Sequence, residues 1–496
     1  MNSIADFLTE NKLILDAINK FVAKYIGPTL LRKCGIRKLV DTVTPNDEYT
    51  YPDSPLSRLI GDVKQSAFLQ KCVSATQILI DKLVLCFFVG TAFRMFDTGT
   101  FYGSYKKDTF YRFDKLPGAN WERLQLETAR NVILDIENST DPSHVRALVF
   151  DDSLYRRFRG KGTQLCANVY DHVDHKMRLG YRMMTGGWTN GEVFIPFQQS
   201  LLTSRDEDLI VGPNEKYDKR TIEGRRRVLS KTKGTEVVYQ MVANAQKIGI
   251  PFDVVLFDTW FSNPAQLVSL KKMGTDVIAM IKKNSTKYSI ITDPVTQEKE
   301  KFNVKEIYNR NKKRRGRSKY LLSVDVEISD KDENTIPAKL VYARNHNNRK
   351  DWVCFVCTDT TLLEEEILKR YLLRWNIEQY FKVCKDYLKL RTECHSTNYD
   401  ALTSHMVVVA IRYMILSLER FWATDNRTIE EIFYSVQREV ISQIVDTAVV
   451  IVLDAMLEGV RKQFGATEEQ IELLVHNFIQ ELPNIWKTRF KESLTA

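Results

Sequence analysis

Leu322, Val324, Val326 and Ile328 alternate with Ser323, Asp325, Glu327 and Ser329, a strict period of two that predicts a strand with one wet face. Residues 339–343 and 352–357 are shorter apolar runs that add further strands around it. Upstream, residues 147–150 and 254–257 are unbroken Ala, Val, Leu and Phe, as strands buried on both faces require. Residues 178–184, 193–197 and 277–282 also read as strands, whereas 225–247 and 264–273 carry helical spacing. From 362 to 398 neither Gly nor Pro interrupts the chain, which predicts one helix there. Both ends, 1–140 and 401–496, are patterned as helices.

Chemistry enters on that Gly- and Pro-free stretch. Tyr371, Arg374, Glu378 and Lys385 stand at steps of three, four and seven residues. At about 100° per residue the four side chains fall within an arc of roughly 60° on one helix face. Ordinary surface ion pairs use the same spacings. Two Asp sites tip the reading toward function, because the apolar runs 147–150 and 254–257 each end at an acid, Asp151-Asp152 and Asp258. Carboxylates at strand ends stand where α/β sheets place their sites, although an Asp after a strand also serves as a turn or helix-capping residue. Asp152, Asp258 and Glu378 together supply three hard oxygen ligands, suited to two Mg²⁺ ions with Mn²⁺ able to substitute. Such a pair activates a water or 3′-hydroxyl and stabilises the leaving oxygen of a phosphodiester. Neighbouring strand residues face opposite sides, so only one of Asp151 and Asp152 can point into the site.

The chain as a whole resembles the bacterial DDE transposases of the insertion-sequence 4 family, which carry a Tyr-Arg-Glu-Lys signature. The resemblance rests on Tyr371-x2-Arg374-x3-Glu378-x6-Lys385, on Asp152 before Ser153, and on Asp258 before Thr259-Trp260-Phe261. It extends to Lys107-Asp-Thr-Phe-Tyr-Arg-Phe113, Tyr170-Asp-His172 and Gly186-Gly-Trp-Thr-Asn190, and spans roughly residues 75–425. It implies Asp152, Asp258 and Glu378 as the metal-binding triad, Asp152 being favoured over Asp151 because the family's acid directly precedes Ser or Thr. It implies Tyr371, Arg374 and Lys385 as phosphate contacts, and Trp352, 26 residues before Glu378, as the ring that stacks a flipped base. A buried strand Trp would look the same.

The expected fold is α/β: a ribonuclease H-like core interrupted by a β-rich insertion and flanked by helical regions. Three strands followed by alternating helices and strands are in the order of such a core. Residues 1–140 would bind transposon ends, 141–283 form the first part of the core, 284–350 the insertion, 351–400 the final strand and Glu-bearing helix, and 401–496 a helical region suited to dimerisation. Cut-and-paste transposition through nicking, hairpin formation and strand transfer is the implied reaction. The implied partners are double-stranded DNA, as terminal inverted repeats and target, and a second copy in the synaptic complex. A ribonuclease H-like nuclease without strand transfer, and a DNA-binding inhibitor without catalysis, are the alternatives.

Charge agrees with a polyanionic partner. The chain has 496 residues and a net charge of +9, from 72 Lys and Arg against 63 Asp and Glu. Two clusters concentrate the positive charge: Lys312, Lys313, Arg314, Arg315 and Arg317, and Arg225, Arg226 and Arg227. Each is a candidate DNA contact, though a solvated loop or helix face has the same composition. Eight Cys without paired spacing fit free thiols in a reducing, cytoplasmic protein. The apolar runs 83–93 and 406–418 are too short to span a bilayer.

Overall fold

The computed structural model describes residues 75–481, with 89, 100, 102–104, 142, 159, 172–173, 294–297, 313–319, 347, 349 and 423–426 outside the description. Most of the expected end-binding region and the basic residues Lys313, Arg314, Arg315 and Arg317 therefore lie outside the described residues.

Five strands make the centre of one mixed sheet: β1 (Ala147–Arg156), β3 (Lys176–Thr189), β4 (Phe194–Leu202), β5 (Val254–Phe257) and β6 (Val277–Ile281). They lie in the order β4-β3-β1-β5-β6, with β3 antiparallel to its two neighbours and β1, β5 and β6 mutually parallel. The short strand β2 (Ala167–Asp171) continues the sheet beyond β3. This is the expected progression of three antiparallel strands and then strands reached across helices. β4 and β5 are buried along their whole length. Gly186 and Gly187 let β3 pass beneath packed rings: a Cβ on Gly186 would meet Phe150 and Phe197 at 2.8 Å, and one on Gly187 would meet Phe194 at 2.0 Å.

The β-rich segment continues this sheet. β7 (Lys287–Asp293), β8 (Glu298–Asn303), β9 (Tyr320–Ser329), β10 (Thr335–Arg344) and β11 (Trp352–Cys357) follow in the order β6-β11-β10-β9-β7-β8, and β11 joins them to the centre by antiparallel pairing with β6.

Thirteen helices fall among the described residues. On the N-terminal side are α1 (Ala75–Val84), α2 (Ala92–Asp97), α3 (Lys107–Asp114) and α4 (Trp121–Asn138). Next come α5 (Ile222–Ser230), α6 (Gly234–Ile248), α7 (Pro264–Lys272) and α8 (Val304–Asn311). The last five are α9 (Glu364–Leu372), α10 (Trp375–Asp386), α11 (Tyr399–Trp422), α12 (Ile429–Phe464) and α13 (Glu468–Glu481).

Two stretches expected as single helices are each split. Residues 225–247 break between α5 and α6 around Lys231-Thr-Lys-Gly234. Residues 362–398 break first at Leu373-Arg374, where Leu373 and Arg374 donate backbone hydrogen bonds three residues back, to Arg370 and Tyr371. That tight turn keeps the chain helical in sense between the two helices. The second helix ends at Asp386, and Lys389 beyond it adopts φ 60°.

The C-terminal apolar run is longer than its sequence suggested. Tyr399–Phe421 is long and apolar enough to cross a membrane by composition, yet its most apolar stretch is buried within the protein. Arg412 inside it donates to the carbonyls of Leu83 and Leu388 and pairs with Glu393 at 2.9 Å. A core helix in which the Arg412 charge is answered by Glu393 and backbone carbonyls accounts for it.

Candidate active site

The register of the parallel pair fixes the first two acids. Ala147 to Phe150 stand opposite Val254 to Phe257 in order. One step beyond, Asp151 comes beside Asp258 where β5 ends. Paired residues on adjacent parallel strands face the same side, so these two carboxylates share a face.

Side-chain contacts identify that face. Lys385 Nζ donates to Ser153 Oγ at 2.5 Å, and Arg374 Nη1 lies 3.4 Å from Asp151 Oδ2 and 3.2 Å from Glu378 Oε1. Residues 151 and 153 of β1 thus look toward α10, the helix carrying Glu378 and Lys385. Asp152 looks the other way. Its carboxylate takes two hydrogen bonds from Arg182, Nε at 2.7 Å and Nη2 at 2.6 Å. This parity sets Asp151, rather than the favoured Asp152, on the side of Arg374 and Glu378, while Asp152 pairs with Arg182. The run Ala147-Leu-Val-Phe was read as the whole strand, whereas β1 continues to Arg156, so the acids are inside it and alternate across the sheet.

Electrostatics mark the same cleft. Burial, with the charges of Asp258 and Asp152 added, pushes the Asp151 carboxyl up to about 8, against a lowering by the Asp152 amide. Asp258 is also raised by burial, opposed by the Trp260 amide and by Arg374. Lys385 is held below its usual range by burial and by Arg391. Burial that raises two carboxyls marks a desolvated cleft.

Two donors beside these acids are unsatisfied. Tyr371 is 8% exposed, its ring edge-on to Phe355 at 4.7 Å, and neither its hydroxyl nor the Nε of Arg374 has a hydrogen-bond partner within the protein. Buried donors without partners cost free energy that an incoming phosphate oxygen would recover.

Among the described residues no three His, Cys, Asp or Glu side chains are grouped closely enough to hold a metal ion, and the Arg374 guanidinium stands between two of the acids. The donor chemistry nevertheless fits a divalent ion: Asp151, Asp258 and Glu378 are hard oxygen ligands, two of them desolvated, and a cationic group already bridges two.

The other sequence candidates distribute unevenly. Arg225 is exposed, but Arg226 and Arg227 are 5% and 6% exposed and internal. Arg226 pairs with Glu122 at 2.6 Å and Asp400 at 2.5 Å, and Arg227 pairs with Asp400 at 2.8 Å. Their charge ties α5 to α4 and α11, which corrects their assignment as DNA contacts. Lys312 is exposed at the end of α8. Trp352 is only half-buried, but its ring stacks on Tyr308 at 4.9 Å, lies against Tyr342 at 5.1 Å and carries Lys283 Nζ 4.2 Å from its centroid. In this arrangement the ring is packed against protein. Trp260, two residues from Asp258, is 49% exposed with Lys282 Nζ 3.5 Å from its ring. Arg182 and Trp260 were missed as site residues, and only the Asp-Thr-Trp spacing could have pointed to the second.

Family comparison fits the cleft's position. Residues 92–316 match the model of a DDE superfamily endonuclease, and residues 230–415 match that of a transposase DDE domain. The first stretch contains Asp151 and Asp258, the second Asp258 and Glu378. No curated protein matches the chain. These domain matches imply a ribonuclease H-like fold and action on DNA, and they support a transposase of the DDE type, a nuclease-class enzyme.

Proposed function

We propose that this chain is a cut-and-paste transposase of the insertion-sequence 4 type, acting on its element's terminal inverted repeats and on target DNA, and working as a homodimer. The observation that carries the reading is the cleft in which Arg374 lies against Asp151 and Glu378, with Asp258 at the end of the strand paired to that of Asp151, beside two unsatisfied donors, Tyr371 Oη and Arg374 Nε.

Asp151, Asp258 and Glu378 would hold two divalent ions, Mg²⁺ with Mn²⁺ able to substitute. When bound, such ions supply charge neutralisation and oxygen activation at a phosphodiester. Arg374 and Tyr371 would grip the scissile phosphate, Arg374 through its fork of donors and Tyr371 through one hydrogen bond. Lys385, fixed by Ser153, holds a positive charge at the far end of the same helix face. Lys312 and Arg225, both exposed, would contact phosphates farther along the duplex. The order of events is a first nick that frees a 3′-hydroxyl, its attack on the opposite strand to close a hairpin, reopening by water, and attack of the 3′ end on target DNA.

Labelled linear DNA carrying the element's end, incubated with protein and Mg²⁺, distinguishes the steps on a denaturing gel. Nicked and hairpin species followed by joined products are expected. Cutting with no joining under any condition would replace transposition by simple nuclease action, and end-binding without cutting would remove catalysis altogether.

A further inference from the structure

We propose that Arg374 is a built-in counter-ion that keeps divalent metal out of the cleft until a DNA phosphate draws it away. The inference rests on the reading of Asp151, Asp258 and Glu378 as the metal site.

One guanidinium nitrogen serves both acids: Arg374 Nη1 is 3.4 Å from Asp151 and 3.2 Å from Glu378, which come from β1 and α10. These contacts are long for charge-assisted hydrogen bonds, whose N···O distances run about 2.7–2.9 Å. They are also single contacts from one nitrogen, unlike the two-point grip of Arg182 on Asp152 at 2.6 and 2.7 Å. Arg374 is thus held in the cleft by charge without being locked into it. It cannot relinquish that charge by losing a proton. A divalent ion entering between the same carboxylates would meet a fixed positive group a few ångströms away, so metal and this position of Arg374 exclude each other.

The alternative position is provided nearby. The Arg374 Nε, though buried, lacks a partner, as does the Tyr371 hydroxyl one turn earlier. A phosphate between them would satisfy both and turn the guanidinium off Asp151 and Glu378. The backbone at Arg374 has ordinary helical angles of −55° and −30°, and the movement proposed is a rotation of its side chain. Phosphate binding would then open the metal site, and by reciprocity metal would tighten DNA binding by the same factor. The enzyme would load its metals chiefly on DNA.

Mn²⁺ binding to the full chain, read from the electron paramagnetic resonance of free Mn²⁺, tests this without any turnover. Without DNA, Arg374→Gln should bind Mn²⁺ about tenfold more tightly than wild type, with Arg374→Lys close to wild type. A mixed-sequence duplex should raise wild-type affinity by a similar factor and leave Arg374→Gln nearly unchanged, the duplex's own Mn²⁺ binding being subtracted with an Asp151→Asn, Glu378→Gln double variant. Arg374→Gln binding no tighter than wild type, while Asp151→Asn weakens binding, would overturn the counter-ion role and leave the metal site standing. No effect of Asp151→Asn or Glu378→Gln would overturn the metal site itself, and the counter-ion role with it. If Arg374→Gln does not fold, the duplex arm decides: wild-type affinity unmoved by DNA overturns the proposal.

Discussion

The two faces of β1 put adjacent acids to opposite uses. Asp152 is matched: its side chain is 13% exposed and each carboxylate oxygen accepts from the fork of Arg182. Asp151, little more exposed at 17%, accepts the Asp152 amide at 2.8 Å but meets only one guanidinium nitrogen, at 3.4 Å, and is pushed up to about 8 chiefly by burial. The lesson is that identity of residue type and one position along a strand do not set chemistry. What sets it is whether the neighbours complete the charge or leave it incomplete, and the unsatisfied face is where a ligand gains most.

The largest break of this comparison is expected in catalysis. Asp151→Asn should lower metal-dependent strand cleavage by more than about a thousandfold, whereas Asp152→Asn should cost about tenfold or less. Asp152→Asn should instead lower the melting temperature, since Arg182 loses its charged partner.

A second matched face can be broken the same way, through stability. Arg226, Arg227 and Asp400 form a buried cluster with Glu122. Asp400→Ala should destabilise the chain by about 3–5 kcal/mol, because it leaves the buried Arg227 guanidinium without an acid and Arg226 with Glu122 alone. Arg225→Ala should leave the melting temperature unchanged and reduce the salt dependence of DNA binding by about one phosphate contact. Chemical denaturation and binding at graded salt read the two effects.

pH sharpens the contrast with a smaller effect. A carboxyl whose folded pKa is raised favours the folded state below its unfolded value near 3.8, and that contribution is lost as pH rises toward about 8. The metal-free protein should therefore lose stability across that window, and Asp151→Asn should flatten the trend. Mn²⁺ affinity runs the other way, rising with pH until about 8, because the ion must displace the Asp151 proton. Calorimetric titrations between these pH values check the sign.

The smallest effect distinguishes the two indoles. Trp260→Ala should weaken binding of single-stranded DNA by about 1–3 kcal/mol, the worth of one stacked base. Trp352→Ala should mainly lower thermal stability, because its ring is stacked on Tyr308. A hairpin step impaired more by Trp352→Ala than by Trp260→Ala would restore the sequence-based choice.

Much of this was legible in the chain. The apolar runs before Asp151 and Asp258 mark β1 and β5, and the Tyr-Arg-Glu-Lys spacing brings Tyr371, Arg374, Glu378 and Lys385 to one side of the sheet even though the helix breaks at Leu373-Arg374. Strand parity stated that only one of Asp151 and Asp152 could face the site, but which one depends on partners from β3 and α10, 30 and 223 residues away. Such long-range pairing leaves no local pattern. For the same reason Arg226 and Arg227 resembled a DNA-binding cluster: their partners Glu122 and Asp400 are 104 and 174 residues distant. Composition records charge but not who answers it.

The most direct test of the Asp151 face is metal rescue. Asp151→Cys and Asp152→Cys are each assayed for strand nicking in Mg²⁺ and then in Mn²⁺, whose greater tolerance of thiolate restores a site in which the substituted atom is a ligand. The account predicts that Asp151→Cys is inactive in Mg²⁺ and recovers in Mn²⁺, while Asp152→Cys shows the same modest defect in both. Rescue confined to Asp152→Cys would contradict it and put the metal on the other face of the strand.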